Sequence, residues 1–386
     1  MSYSNSSTDG QADPLPTSRP SLSSHRFWGS NAAWKRKFGR PNTRTNTRTN
    51  THSIDTESEV LKKMTDFDFP SKDTVLGYYD SLSNWGRWGE NDRLGTLNFI
   101  TPEVRKKAAA LISSGQVISL SQNLDPNNPD PLGAGMGNIQ RFMQLGEVSH
   151  IANQKVQADA VTDFIGIEAH GSNTHLDGLG HYAWKGRNYN GFDASETNSI
   201  DGSQALSIHQ AEHGIVSSAV ILDICGLHGV QWLETSYAIT PDDLLAAEKR
   251  QGVTVEPGDV LLVHTGHVAK IRANGPAPVS SADTPVPPGA GLHASCLPFL
   301  HDRGVSALGS DTVQDVQPSG YDDWDLFRPI HSIGIVALGL WLIDNMDLTE
   351  AVDKCREVER WKLFFALLPW KMVGVTSAAT NPVAIF

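Results

Sequence analysis

The feature that most constrains this 386-residue chain is a set of apolar runs too continuous to lie on a protein surface. Ile333–Ile343 reads IGIVALGLWLI and stops at Asp344, Ser218–Gly226 reads SAVILDICG, and Gly258–Gly266 reads GDVLLVHTG. Short apolar runs bounded by charge or glycine predict buried strands, and each needs covering layers. The longest falls short of the roughly 18 apolar residues that a membrane span requires, so a soluble, cytoplasmic protein is expected.

Helical signals fall between these runs. Thr101-Pro102-Glu103 supplies an N-cap oxygen, a first-turn proline and a dipole-matched carboxylate, and predicts a helix running to Gly115. Further helices are expected over Thr240–Gly252, in HASCLPFLHDRG from His293, and in LTEAVDKCREV from Leu348. QVISLSQNL, VSALGSD and KLFFALLPWKMVG complete the expected strands. The mixture predicts an α/β fold, one domain of mixed sheet with flanking helices.

Charge divides the chain near Met64. Residues 1–63 hold ten Lys and Arg against five Asp and Glu, whereas the remainder holds 21 against 38. Residues 1–65, with their TRTN repeats and no apolar periodicity, are expected to be a disordered basic leader, and residues 66–386 the folded domain that carries any activity. The leader has no apolar core of a secretory signal. An acidic body repels phosphate, which argues against nucleic acid as a partner. Cys225, Cys296 and Cys355 are odd in number and form no CxxC pair, as suits a reducing compartment. No G-x-S-x-G elbow is present, and GAGMG at Gly133–Gly137 has the wrong spacing for a dinucleotide fingerprint.

HGSNTHLDGLGH, His170–His181, concentrates the candidate chemistry. In an extended strand His175 and Asp177 face the same way. Gly178 and Gly180 allow the tight turn that returns His181 to the same side. Imidazole with carboxylate suits a divalent metal, although a glycine-rich turn with hydrogen-bonded histidines would use the same residues.

T-H-x-D-x-x-x-H at Thr174, His175, Asp177 and His181 resembles the second half of the His-x-Gly-Thr-His-x-Asp-x-Pro-x-His signature of the cyclase superfamily, which includes bacterial-type kynurenine formamidase and isatin hydrolase. WGENDRLGTLNFITPE, GDVLLVHTG, GVSALGSD and PIHSIGIVALGLWLIDNMDL extend the likeness over roughly residues 80–386. The resemblance implies the family's swivelling β/β/α fold, a divalent ion such as Zn²⁺ or Mn²⁺, and a homodimer or homotetramer acting on a small molecule. It implies His170, His175, Asp177, His331 and Asp344 as metal ligands and His181 as the acid/base residue. Trp85 and Trp88 would line the substrate pocket.

Three positions depart from the pattern. His170 lies five residues before His175 rather than four, Leu179 replaces a proline, and Asp344 stands where the family has a glutamate. The shorter carboxylate favours one ion over two. Trp184 could add to the aromatic wall, His264 at a strand end could touch substrate, and Asp311 with Asp315 in GSDTVQD are secondary candidates. His209 and His213 have helical spacing and are expected on a solvated face.

A divalent ion lowers the pKa of bound water to about 7 and polarises a carbonyl, and a histidine base can move the proton. The leading expectation is a metal-dependent hydrolase of an amide, cyclic amide or lactone in a small aromatic metabolite. A metal-dependent cyclase, dehydratase or isomerase is the alternative, and an inactive metal-free binding protein is the third reading.

Overall fold

Nine strands build the sheet on which the site rests: β1 (Val117–Ser119), β2 (His175–Asp177), β3 (Ile215–Asp223), β4 (Val260–His264), β5 (Ala307–Ser310), β6 (Trp341–Asp344), β7 (Lys362–Leu367), β8 (Ser377–Ala379) and β9 (Val383–Ile385). They run in the order β1-β9-β7-β3-β4-β5-β6-β2-β8. The central β3-β4-β5-β6 pairs are parallel, and the flanking pairs are antiparallel. This computed structural model describes residues 67–128, 152–153, 155–275 and 288–386, and the backbone of 140–144. The expected leader, the GAGMG stretch and most of the Pro/Ser/Ala-rich loop before Gly289 lie outside the described residues. No helix among the described residues is long and apolar enough to cross a membrane.

The parallel strands are buried on both faces, which is why their sequences are apolar without alternation. Every residue of β4, β5 and β6 is buried. Each fully buried Leu, Ile or Val contributes about 1.5–3 kcal/mol, an upper estimate because unfolded chains already bury some surface. A helix over Pro241–Gln251 packs nearby, fixed by a Thr240–Asp243 capping box and a left-handed Gly252, as its sequence predicts.

Two elements differ from expectation. Ile333–Ile343 is not one strand: Pro329 opens a helix over Pro329–Ile333, a π-helical turn follows over Gly334–Leu338, and Gly339 (φ 69°) ends it before β6. Ile333, Ile335, Val336, Ala337, Leu338 and Leu340 are all buried, so burial on every side removed the periodicity that separates helix from strand. The helix from Pro102 stops at Ala109 instead of reaching Gly115. The backbone N–H groups of Ser114 and Gly115 donate to the carbonyl of Phe386, a tertiary contact that local propensity cannot foresee.

GTLNF at Gly95–Phe99 ties the N-terminal part of the domain to the turn before β6. Thr96 N donates to the Gly339 carbonyl at 2.9 Å, and Trp341 Nε1 donates to the Leu94 carbonyl at 2.8 Å. Gly95 has φ 56°, and a Cβ there would stand 2.1 Å from the Gly339 oxygen. Gly95→Ala should therefore lose about 2–4 kcal/mol of stability in urea unfolding, with a left-handed residue and a backbone overlap both contributing. A loss within 0.5 kcal/mol, on the order of a neutral surface change, would show that the approach is relaxed in solution.

Candidate metal centre

β2 is three residues long, yet both its edges are paired. His175 lies opposite Asp344 of β6 and Ala379 of β8, and Asp177 lies opposite Leu342 and Ser377. His175, Asp177 and Asp344 therefore share one face of the sheet, while Leu176 is buried on the other. A one-residue slip would drive both polar side chains into the core, so the register is strongly specified. Thr174 secures the entry to the strand: its hydroxyl donates to the Asn345 carbonyl at 2.7 Å and accepts from Gln122 N at 3.0 Å.

Four histidines converge on Asp177, which is 1% exposed. His170 Nδ1 is 3.0 Å and His175 Nε2 3.6 Å from Asp177 Oδ1. His181 Nε2 and His331 Nε2 are 3.7 and 3.6 Å from Oδ2. Asp344 Oδ2 stands 3.3 Å from His331 Nε2 and 4.0 Å from His175 Nε2, so the shorter side chain still reaches the cluster. Two donors bound to one tetrahedral ion at about 2.0–2.1 Å lie about 3.4 Å apart, so these separations suit a shared cation. The donors fall into two groups that share Asp177: His170–Asp177–His181 and His175–Asp177–Asp344.

The other ring nitrogen of three histidines is already engaged. His175 Nδ1 is 2.8 Å from the Asn173 carbonyl, which makes it the donor and turns the Nε2 lone pair toward the carboxylates. His331 Nδ1 is 2.6 Å from Asp315 Oδ2, and His170 Nε2 is 3.2 Å from Thr376 Oγ1. Partners of this kind orient metal-ligating imidazoles. His181 makes no ring hydrogen bond among the described residues, stacks on His170 with centroids 4.0 Å apart, and keeps 25% of its side chain exposed. The residue inserted between His170 and His175 is absorbed in a bend at 171–173, where Asn345 Nδ2 donates to the Gly171 carbonyl.

Electrostatics favour a cation here. Burial works against ionised Asp177, yet His181, His175, His170 and His331 hold its carboxyl well below the usual range. Burial also opposes a charged His331, but Asp344, with Asp177 and Asp315, holds it well above its ordinary value. Burial lowers His181 to about 4 against the pull of Asp177, so at neutral pH it is an unprotonated base. Among the described residues His170 Nδ1, Asp177 Oδ1 and His331 Nε2 are buried without a well-aligned hydrogen bond, although their neighbours stand within 3.0–3.6 Å. Buried polar atoms facing one another out of hydrogen-bond alignment fit a bound ion.

The remaining candidates have other partners. Trp85 donates from Nε1 to the Val336 carbonyl at 2.6 Å and is 40% exposed. Trp88 meets Phe99 edge-on, beneath the guanidinium of Arg87. Trp184 stacks flat on Tyr79, with Lys185 over its ring. His264 is buried at the end of β4, where Nδ1 is 2.9 Å from Asp223 Oδ1, and Asp223 Oδ2 also accepts from Arg356 Nη2 at 2.7 Å. Asp311 caps the turn after β4, accepting from Thr265 N and His267 N. None of these five stands in the donor groups around Asp177. His209 and His213 flank Glu212, and the His213 side chain is 91% exposed.

Sequence reasoning missed Thr376, Asn173 and Gln314. Gln314 Nε2 donates to Asp344 Oδ1 at 3.1 Å and to the Ile343 carbonyl at 2.9 Å, which fixes the carboxylate. Asn173 acts through its backbone oxygen, and Thr376 is 206 residues from His170, so no local signal marks either.

Asp315→Asn should lower divalent-metal affinity about 10- to 100-fold by isothermal titration while the circular dichroism spectrum is unchanged. Unaltered affinity would remove Asp315 from the support of His331. Asp223, brought down to about 2 by His264, Gly226 and Arg356 despite burial, stabilises the fold above its ordinary pKa and loses that contribution as pH falls through about 2. Asp223→Asn should cost roughly 2 kcal/mol at pH 7, and the gap to wild type should close between about pH 4 and pH 2. A gap independent of pH would refute the linkage.

The family profile described as "Putative cyclase" matches residues 118–314. A crystal structure described as a novel cyclase superposes with a TM-score of 0.69 at 25% identity, over 80% of this chain and 99% of that one. Isatin hydrolase A from Labrenzia aggregata, bound to benzyl benzoate, aligns with a TM-score of 0.49 at 15% identity, over 72% of this chain and 97% of its own. Isatin hydrolase A from Ralstonia solanacearum aligns with a TM-score of 0.46 at 19% identity, over 74% and 97%. No curated protein matches the sequence. With a matched span that includes the Thr174–His181 motif and reaches past half of its length, the chain belongs to the cyclase family.

Proposed function

We propose that the protein is a metal-dependent hydrolase of an amide, cyclic amide or lactone bond in a small aromatic metabolite. One observation carries this reading: three of the four histidines around Asp177 have their second nitrogen engaged, whereas His181 is unengaged and partly open to solvent. His170, His175, Asp177, His331 and Asp344 would hold the ion. A divalent ion such as Zn²⁺ or Mn²⁺ supplies Lewis acidity there, polarising a carbonyl and making water more acidic.

His181 Nε2 is the proton carrier. Its lowered pKa leaves it free to accept a proton from the attacking water and to deliver that proton to the leaving nitrogen or oxygen. Asp177 Oδ2, 3.7 Å away, offsets the positive charge that His181 acquires meanwhile. The flat stack on His170 limits rotation of the imidazole, and Tyr182, edge-on at 4.7 Å, closes another side. The same groups could serve a cyclisation or dehydration, but hydrolysis suits a base that keeps contact with solvent.

The test is a turnover screen of aryl formamides, lactones and cyclic imides with the full chain and Zn²⁺ or Mn²⁺, run in H₂¹⁸O. Hydrolysis places one labelled oxygen in the product, and unlabelled product would favour isomerisation or cyclisation instead. His181→Ala should lower kcat by about 10²–10⁴-fold while metal content by elemental analysis stays at the wild-type level. Retained turnover would refute the acid/base role, and lost metal would make His181 a ligand.

A further inference from the structure

We propose that the hydroxyls of Tyr79 and Ser332 form a substrate subsite for an oxygen acceptor, a carbonyl or carboxylate carried on the ring side of the bond being broken. Tyr79 lies in a short helix over Tyr78–Ser81 and is 8% exposed, and Ser332 lies in the helix that carries His331 and is 7% exposed. Among the described residues neither Tyr79 Oη nor Ser332 Oγ has a well-aligned hydrogen-bond partner, and the two hydroxyls stand close enough to interact only with each other. Leaving a buried hydroxyl unpaired costs about 1–3 kcal/mol, and here two such groups stand beside each other.

Their setting suits recognition. Tyr79 stacks on Trp184 with centroids 4.2 Å apart and planes 4° apart, so the phenol is held by its ring. Trp184 thus acts by backing Tyr79. Burial raises the Tyr79 hydroxyl to about 12, so at neutral pH it is a donor and calls for an acceptor. Ser332 follows His331 in the chain. The ring of Tyr182, which follows His181, lies 5.6 Å from His331 and 4.7 Å from His181. Tyr182 thus lies against two histidines of the metal centre, and Ser332 joins one of them directly through the chain. A flat substrate with its reacting carbonyl at the Asp177 cluster would then bring a second oxygen toward Tyr79 and Ser332.

The inference rests on the hydrolase reading only for where the reacting bond sits, so it is tested by binding rather than turnover. The Mn²⁺-loaded full chain is titrated calorimetrically with formanilide and its ortho-, meta- and para-acetyl derivatives. At least one acetyl isomer should bind wild type about 3- to 10-fold more tightly than formanilide, the worth of one added hydrogen bond. Tyr79→Phe and Ser332→Ala should each abolish that gain and leave formanilide, which carries no second acceptor, bound as in wild type, with the melting temperature close to the wild-type value. No gain for any isomer, no binding of any of the four ligands, or a gain that survives both substitutions would overturn the proposal. Equal weakening of all four ligands with a lowered melting temperature would also overturn it, as a purely structural role. Discriminated binding without turnover of any ligand would sink the hydrolase reading and leave the subsite standing.

Discussion

The site depends on one buried carboxylate. Asp177 is enclosed by four imidazoles within 3.0–3.7 Å, with Asp344 beyond them. An ionised group in so dry a place is stable only with charge or hydrogen bonds around it. The histidines supply part of that compensation, and a divalent cation would supply it more fully. Three imidazoles are oriented for this from outside, by Asn173, Asp315 and Thr376, whereas His181 has no such support among the described residues. The division into engaged and free histidines is what separates ligands from a proton carrier in the proposed chemistry.

The sheet explains how so short a strand can position such a group. β2 is gripped by β6 and β8, and the parallel strands β3, β4 and β5 end in polar residues on the same side of the fold as Asp344 of β6. Asp223, His264, Asp311 and Asp344 all stand at or just past the carboxyl ends of β3, β4, β5 and β6, where open α/β sheets gather their polar chemistry. Asp223, His264 and Asp311 are consumed by Arg356, by each other and by backbone N–H groups, which makes them supports of that edge. Asp344 is fixed by Gln314 and faces the histidines.

Much of this was legible in the sequence, for identifiable reasons. The alternation of His175, Leu176 and Asp177 is a two-residue period, and glycine at 178 and 180 marks the return of His181, so the heart of the cluster can be read locally. The continuous runs ending at Asp223 and His264 gave strands because their burial is two-sided. The run from Ile333 gave a false strand because burial on every side looks the same in a helix. Thr376 and Gln314 were invisible because their roles exist only once β8 and the turn after β5 close on the site. Trp184 reads locally as part of an aromatic wall, and only the fold shows that its ring stacks on Tyr79.

The central claim is that the Asp177 cluster holds a divalent ion. Its most direct test is elemental analysis of the full chain purified without added metal, beside Asp177→Asn prepared identically, with melting curves in the presence and absence of Mn²⁺ and Zn²⁺. Near-stoichiometric metal in the wild type, a rise in melting temperature on metal addition, and loss of both in the variant are the predicted results. Trace metal with no ion-dependent shift in the wild type, or full metal retention by Asp177→Asn, would contradict the account.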